Sequence, residues 1–193
     1  MHFSSVNLIR MTAAQADLAG PTKNNSESTE EPALDTPRVE DGAAIWRIAR
    51  DSKTLDLNSS YSYLLWCRDF AATSIVARGA GGEPVGFVTG YIRPDRPDTL
   101  MIWQVAVDAS QRGRGLAGKL LDGLDAKVRA AHGVSRLETT ITPDNTASDR
   151  LFRSFARRHG AGVDREVLFP GEVFPEGGEH EPELLYTIGP LTD

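Results

Sequence analysis

Trp103-Gln104-Val105-Ala106-Val107-Asp108-Ala109-Ser110-Gln111-Arg112-Gly113-Arg114-Gly115-Leu116-Ala117-Gly118-Lys119 decides how this chain folds. The apolar run from Leu100 to Val107 that enters it reads as a strand buried on both faces, because successive residues on either side of the pleat are apolar. After Arg-Gly-Arg-Gly, the spacing of Leu116, Leu120, Leu121, Leu124 and Val128 predicts a helix, with Gly133 as its stop. A glycine-rich turn thus joins a core strand to a helix N-terminus. Such a turn can aim unpaired backbone N–H groups at one anion, with the helix dipole adding positive potential. Arg112 and Arg114 add fixed charge, so the turn reads as a phosphate cradle.

The pattern is not the G-x-x-x-x-G-K-[ST] of nucleotide triphosphatases. Gly113, Gly115 and Gly118 formally fit G-x-G-x-x-G, but the acidic residue and parallel strand order of a dinucleotide fold are not apparent. A plain helix-capping loop with surface arginines is the blander alternative. Arg112-x-x-Gly115-x-Ala117 resembles the Q/R-x-x-G-x-G/A pyrophosphate loop of the GCN5-related N-acetyltransferases (GNAT), which bind acetyl-CoA.

The 193 residues suffice for one domain with a proper core. Residues 1–35 are rich in Ser, Thr, Glu, Asn and Pro and read as a disordered extension; residues 36–193 are the expected domain. No apolar run has signal-peptide or membrane-span length, which predicts a cytoplasmic protein without a membrane partner. A net charge of −6 without a dense basic block argues against nucleic acid. The single cysteine, Cys67, excludes an intramolecular disulfide, and no cluster suggests a metal.

Arg38-Val39 reads as the end of a first strand, and Asp41 as the N-cap of a helix burying Ala44, Ile45, Ile48 and Ala49. Asn58 to Ser60 should cap a second helix, aromatic and apolar almost all round. Thr73 to Arg78 and Pro84 to Ile92 read as a hairpin turning at Gly79 to Gly82. After the long helix come a strand from Arg136 to Thr142 and a helix burying Leu151, Phe152, Phe155 and Ala156. Strands at Val163 to Phe169 and Leu184 to Ile188 close the sheet. The order β-α-α-β-β-β-α-β-α-β-β suits an α/β (α+β) domain, a mixed sheet covered by helices.

That order is also the order of the GNAT fold. Leu55 to Tyr61, Pro97 to Leu100 with Trp103 to Val107, Leu137 to Thr140, and Thr142-Pro143-x-Asn145 are, together, similar to one branch of it, the L-2,4-diaminobutyrate acetyltransferases, over about Arg38 to Gly189. The resemblance implies a mostly antiparallel sheet whose bulged central strand splays from its neighbour. It implies acetyl transfer from acetyl-CoA to the 4-amino group of L-2,4-diaminobutyrate, giving N4-acetyl-L-2,4-diaminobutyrate, the precursor of ectoine. It also implies main-chain bonds from Val105 and Val107 to pantetheine, with the Val105 N–H as oxyanion donor. Arg112, Gly113, Arg114, Gly115, Leu116 and Ala117 would take the pyrophosphate, and Asn145 the pantetheine arm. The general-acid tyrosine of the usual GNAT enzyme is replaced here by Phe152, leaving Tyr61, Tyr63, a water or no acid at all.

A diamino acid needs a carboxylate to orient an ammonium and a polar or cationic partner for its carboxyl. Asp56, between two leucines, is a candidate for the first. Glu183 and His180 can bind the amine and relay its proton. Trp103 is expected to wall the substrate site, with Gln104 and Tyr61 beside it. Cys67, in an apolar helix, is rejected as a nucleophile, and His132 and His159 read as helix-ending residues. A polyamine or aminoglycoside acetyltransferase and a non-catalytic acyl-CoA-binding module are the competing functions. The aromatic second helix and the resemblance point to a homodimer.

Overall fold

The computed structural model describes residues 31–175 and 180–191. A seven-stranded sheet runs in the order β1-β2-β3-β4-β5-β7-β6, with β1 at Ala33–Asp35, β2 at Ile75–Arg78, β3 at Pro84–Arg93, β4 at Arg96–Val107, β5 at Arg136–Ile141, β6 at Gly162–Phe169 and β7 at Glu183–Gly189. Every neighbouring pair is antiparallel except β4 with β5. The crossover between those two is helix α3, Leu116–His132, the connection a parallel pair requires.

Helices α1 (Gly42–Ser52) and α2 (Ser60–Asp69) lie on one face of the sheet, over β2 to β4. Helices α3 and α4 (Thr146–Arg158) cover the other. Strand alternation divides the core accordingly. Ile75 and Ala77 face α3 and α4, while Val76 between them meets Ile45, Ile48 and Tyr63. Leu120, Leu121, Leu124 and Val128 are wholly buried, the stripe expected from their spacing, and each contributes about 2 kcal/mol on leaving water.

The beginning of the domain departs from expectation. Ala33–Asp35, assigned by composition to the extension, pair with β2 as an edge strand, and residues 1–30 lie outside the described residues. Arg38-Val39 is not a strand; Val39–Asp41 form a turn of 3-10 helix. Asp41 makes no side-chain cap on α1. Its carboxylate accepts from the Arg38 N–H and from both Nη atoms of Arg78, which also holds Asp35 through Nε at 2.7 Å. An ion pair across the β1–β2 edge took the carboxylate that local pattern assigned to a cap.

One extra residue in β4 matters most. Gln104 faces Thr89 and Ile102 faces Gly90, so Trp103 is unmatched in the ladder. This bulge exchanges the faces of the strand. Leu100 and Ile102 point into the α3–α4 core, but beyond the bulge Val105 and Val107 do, and Ala106 turns toward α1 and α2. A Cβ at Gly90 would lie 2.7 Å from the Met101 carbonyl oxygen; glycine is what lets β3 close on β4 there.

Candidate active site

The parallel pairing of β4 with β5 ends at Ile102 opposite Thr139. From Trp103 to Val107, β4 keeps its partner on one side only. Asp108 donates its N–H to the Val85 carbonyl on β3, so alternation turns the peptide groups of Val105 and Val107 to the opposite, open edge. Arg112 Nε reaching the Val107 carbonyl at 3.4 Å from that side agrees. The splayed strand expected from the resemblance is therefore present, and its opened edge carries the two valines named for it.

A groove of about 340 Å³ follows this edge, lined by Val105, Val107, Arg112, Ala117, Asn145 and Ser148 among others. At its end lies the glycine loop. Asp108 anchors the loop by accepting from the N–H and Oγ of Ser110, bonds that hold its carboxyl below the usual range. Gly113 and Gly115 then take φ of +74° and +76°, values open to glycine at no cost. Residues 112–115 are exposed, and the first-turn N–H groups of α3, from Leu116 to Gly118, have no partner within the helix. Leu116 offers only its backbone, since its side chain is buried in the core. Arg114 is turned to Gln111 by a 3.0 Å hydrogen bond. Asn145 does two things: its Oδ1 caps α4 by accepting from the Ser148 N–H, and the residue stands where the groove meets the next cavity.

That second cavity, about 230 Å³, opens between the parted strands and collects Asp56, Trp103, Gln104, Thr140, His180 and Glu183. A third, about 510 Å³, shares Asp56, Trp103, Thr140 and Glu183 with it and continues over the sheet face that α1 and α2 leave bare. Most amine-site candidates thus converge, although they come from three distant segments. In His180 the Nδ1 atom lies 2.6 Å from the Glu181 carbonyl, which can only accept. The neutral ring therefore protonates Nδ1 and leaves Nε2 with its lone pair. Phe174 stacks on the imidazole with centroids 3.8 Å apart and fixes its plane.

Trp103 is not a core residue. It is half exposed at the bulge, stacked on Trp66, which also packs against Tyr91 and Phe70. Gln104 is buried and acts as a tie: it accepts from the Tyr63 hydroxyl and donates Nε2 to the Asp56 carbonyl at 2.8 Å. Tyr61, expected beside the substrate, is 64% exposed and lines none of these cavities, because the N-terminal turn of α2 aims it outward. Phe152 is 1% exposed in the α3–α4 core, and Tyr63 is wholly buried with its hydroxyl on Gln104. Neither reaches the groove. Cys67 is buried and its thiol is pushed up to about 11 by desolvation, which leaves it unreactive. His159 pairs with Asp122 at 3.1 Å and packs at a tilt against the Phe155 ring, so it is more than a helix end.

Sequence reasoning missed the far wall of the third cavity, where Arg93, Asp95 and the wholly buried Glu138 sit. Arg93 donates Nη1 to Glu138 Oε2 at 2.7 Å, and Arg96 donates Nη1 to Oε1 at 3.0 Å. The available signal was Glu138, an acid between Leu137 and the threonines of an otherwise uncharged strand interior.

An open strand edge, a glycine loop at a helix N-terminus and an adjoining acid-lined cavity define an acyltransferase architecture, and the chain belongs to the acetyltransferase (GNAT) family, whose model matches residues 42–156. Within that family it is similar to the L-2,4-diaminobutyric acid acetyltransferase of Streptomyces anulatus, 66% identical over 94% of this chain and 99% of the relative. The Streptomyces coelicolor enzyme of the same name is 64% identical over 94% and 98%. Among solved structures it is similar to diaminobutyrate acetyltransferase EctA from Paenibacillus lautus in complex with its substrate L-2,4-diaminobutyric acid and coenzyme A. That match has 40% identity, a TM-score of 0.79, and covers 86% of this chain and 98% of that one.

Proposed function

We propose that this enzyme transfers the acetyl group of acetyl-CoA to the 4-amino group of L-2,4-diaminobutyrate, giving the N4-acetyl product that precedes ectoine. The observation that carries the reading is the open edge at Val105 and Val107, placed between an exposed anion loop and a cavity bearing Asp56, His180 and Glu183. The amine attacks the thioester carbonyl directly, the C–N bond forms and the C–S bond breaks. The Val105 N–H points to the side where the carbonyl oxygen gathers charge. Glu183 or the lone pair of His180 Nε2 takes a proton from the 4-ammonium, leaving the neutral amine that attacks. Asp56 orients the amine, and Trp103 shields it from water. With Phe152 and Tyr63 in the core, the thiolate leaves as such or is protonated by water.

We also propose a cytoplasmic homodimer. No described helix is long and apolar enough to cross a membrane. The edge strand β6 exposes Val167, Leu168 and Phe169, an apolar surface suited to a second copy.

Thiol release from acetyl-CoA, measured with 2,4-diaminobutyrate, ornithine, lysine, putrescine and spermidine, tests the reaction. The expected result is a kcat/KM highest for diaminobutyrate. Preference for a polyamine would reassign the substrate, and turnover with no amine would leave an acyl-CoA-binding module.

A further inference from the structure

The proposed substrate carries a carboxylate, and among the described residues lining the cavity at the transfer point there is no lysine or arginine to hold it. Resting on that reading, we infer that Arg93 is the specificity-determining residue that receives the substrate carboxylate at the far wall of the larger cavity. Arg93 stands at the end of β3 and lines that cavity with a side chain 26% exposed. A guanidinium has five N–H donors. Nε and Nη2 point at Asp95, at 3.1 and 2.7 Å, and Nη1 at Glu138. Two N–H groups remain for a ligand, and their plane is fixed from two sides.

The charge balance fits an amino acid rather than a polycation. Glu138 is neutralised by Arg93 and Arg96 together, while Asp95 stands beside Arg93 with a largely exposed carboxylate. A cluster of both signs matches a zwitterionic head, its carboxylate on Arg93 and its ammonium facing Asp95. A simple diamine offers an ammonium for Asp95 but nothing for the guanidinium.

Length agrees as well. Thr140, at the transfer point, and Glu138 lie on the same face of β5, two residues and about 6.6 Å apart. The four bonds from the 4-nitrogen of diaminobutyrate to its carboxyl carbon, each about 1.5 Å, span about 5 Å when extended. An amine held near Thr140 and Glu183 therefore puts its carboxylate at the level of Arg93.

The test compares kcat/KM for 2,4-diaminobutyrate and for 1,3-diaminopropane, which is the same chain without the carboxylate. Arg93→Gln is expected to lower the value for diaminobutyrate about 10- to 100-fold, mainly through KM, and to leave that for diaminopropane within about twofold. Arg93→Lys should recover part of the loss. Arg96→Gln disturbs the same Glu138 but lies outside the cavity lining, and should keep the wild-type ratio. Equal losses with both amines in Arg93→Gln, or a ratio that follows Arg96 instead, overturn the inference while the proposed reaction stands. A wild-type enzyme that acetylates diaminopropane as well as diaminobutyrate removes the inference and the substrate assignment together.

Discussion

The Tyr63 hydroxyl donates to Gln104 Oε1 at 3.0 Å in a wholly buried contact that crosses from α2 to β4. The other end of the same amide holds the Asp56 carbonyl. A core helix is thereby coupled to the loop that carries Asp56, the carboxylate proposed to orient the amine. Tyr63→Phe leaves a buried acceptor unpaired, at a cost of about 1–2 kcal/mol. The amine KM should rise several-fold and the acetyl-CoA KM should not move, a split that steady-state kinetics resolves. Asp56→Ala should give the same split more strongly; equal effects on both constants would detach this loop from the amine site.

Gly115 separates ligand crowding from backbone strain. A Cβ there meets nothing within 4 Å, yet φ is +76°. Gly115→Ala should cost about 1 kcal/mol through conformation alone. Gly115→Asp adds a carboxylate on the loop proposed to hold the diphosphate. Its acetyl-CoA KM should rise at least about tenfold beyond that of the alanine variant, with the amine KM little changed.

The Arg78 clamp gives a pH signature. Arg78 hydrogen bonds lower the carboxyl of Asp35; for Asp41, burial opposes the same bonds and the net shift is still downward. A depressed folded-state pKa stabilises above the unfolded value, about 3.9, and that stability is lost as pH falls through the folded value. Arg78→Met should therefore cost about 3 kcal/mol at pH 7, since it strands the buried Asp41. The gap in Tm between wild type and variant should narrow below about pH 4. A gap unchanged down to pH 3 would show that the clamp works by packing.

Cys67 offers a negative control. With its thiol pushed up to about 11, alkylation by iodoacetamide at pH 8 should be slow in the folded protein. Cys67→Ala should retain wild-type kcat, which excludes an acyl-enzyme on sulfur.

The sequence-legible part of this protein is the part written in short-range pattern. The strand–loop–helix at Val105 to Ala117, the leucine stripe of α3 and the cap at Asn145 are each written in one short continuous stretch of chain, where periodicity and residue type reveal them. What escaped was set by distant partners. Asp41 looked like a cap because Arg78 lies 37 residues away. Tyr61 was placed beside the substrate because a helix that is aromatic almost all round does not reveal which side of α2 faces solvent. Glu138, Arg93 and Arg96 come together only when β3, the following hairpin and β5 are laid side by side. The bulge at Trp103 came from the resemblance and not from the residue pattern, since a nearly all-apolar strand looks alike on both faces.

The central claim is that coenzyme A lies along the open edge of β4 with its diphosphate on the loop before α3. Amide ¹⁵N–¹H chemical shifts recorded while coenzyme A is added test it most directly. The expected result is saturable shifts concentrated at Val105, Val107 and residues 113–118, with β2 nearly silent. Shifts that spare those amides and gather elsewhere, for example around Asp125 and His159 at the other end of α3, would contradict it.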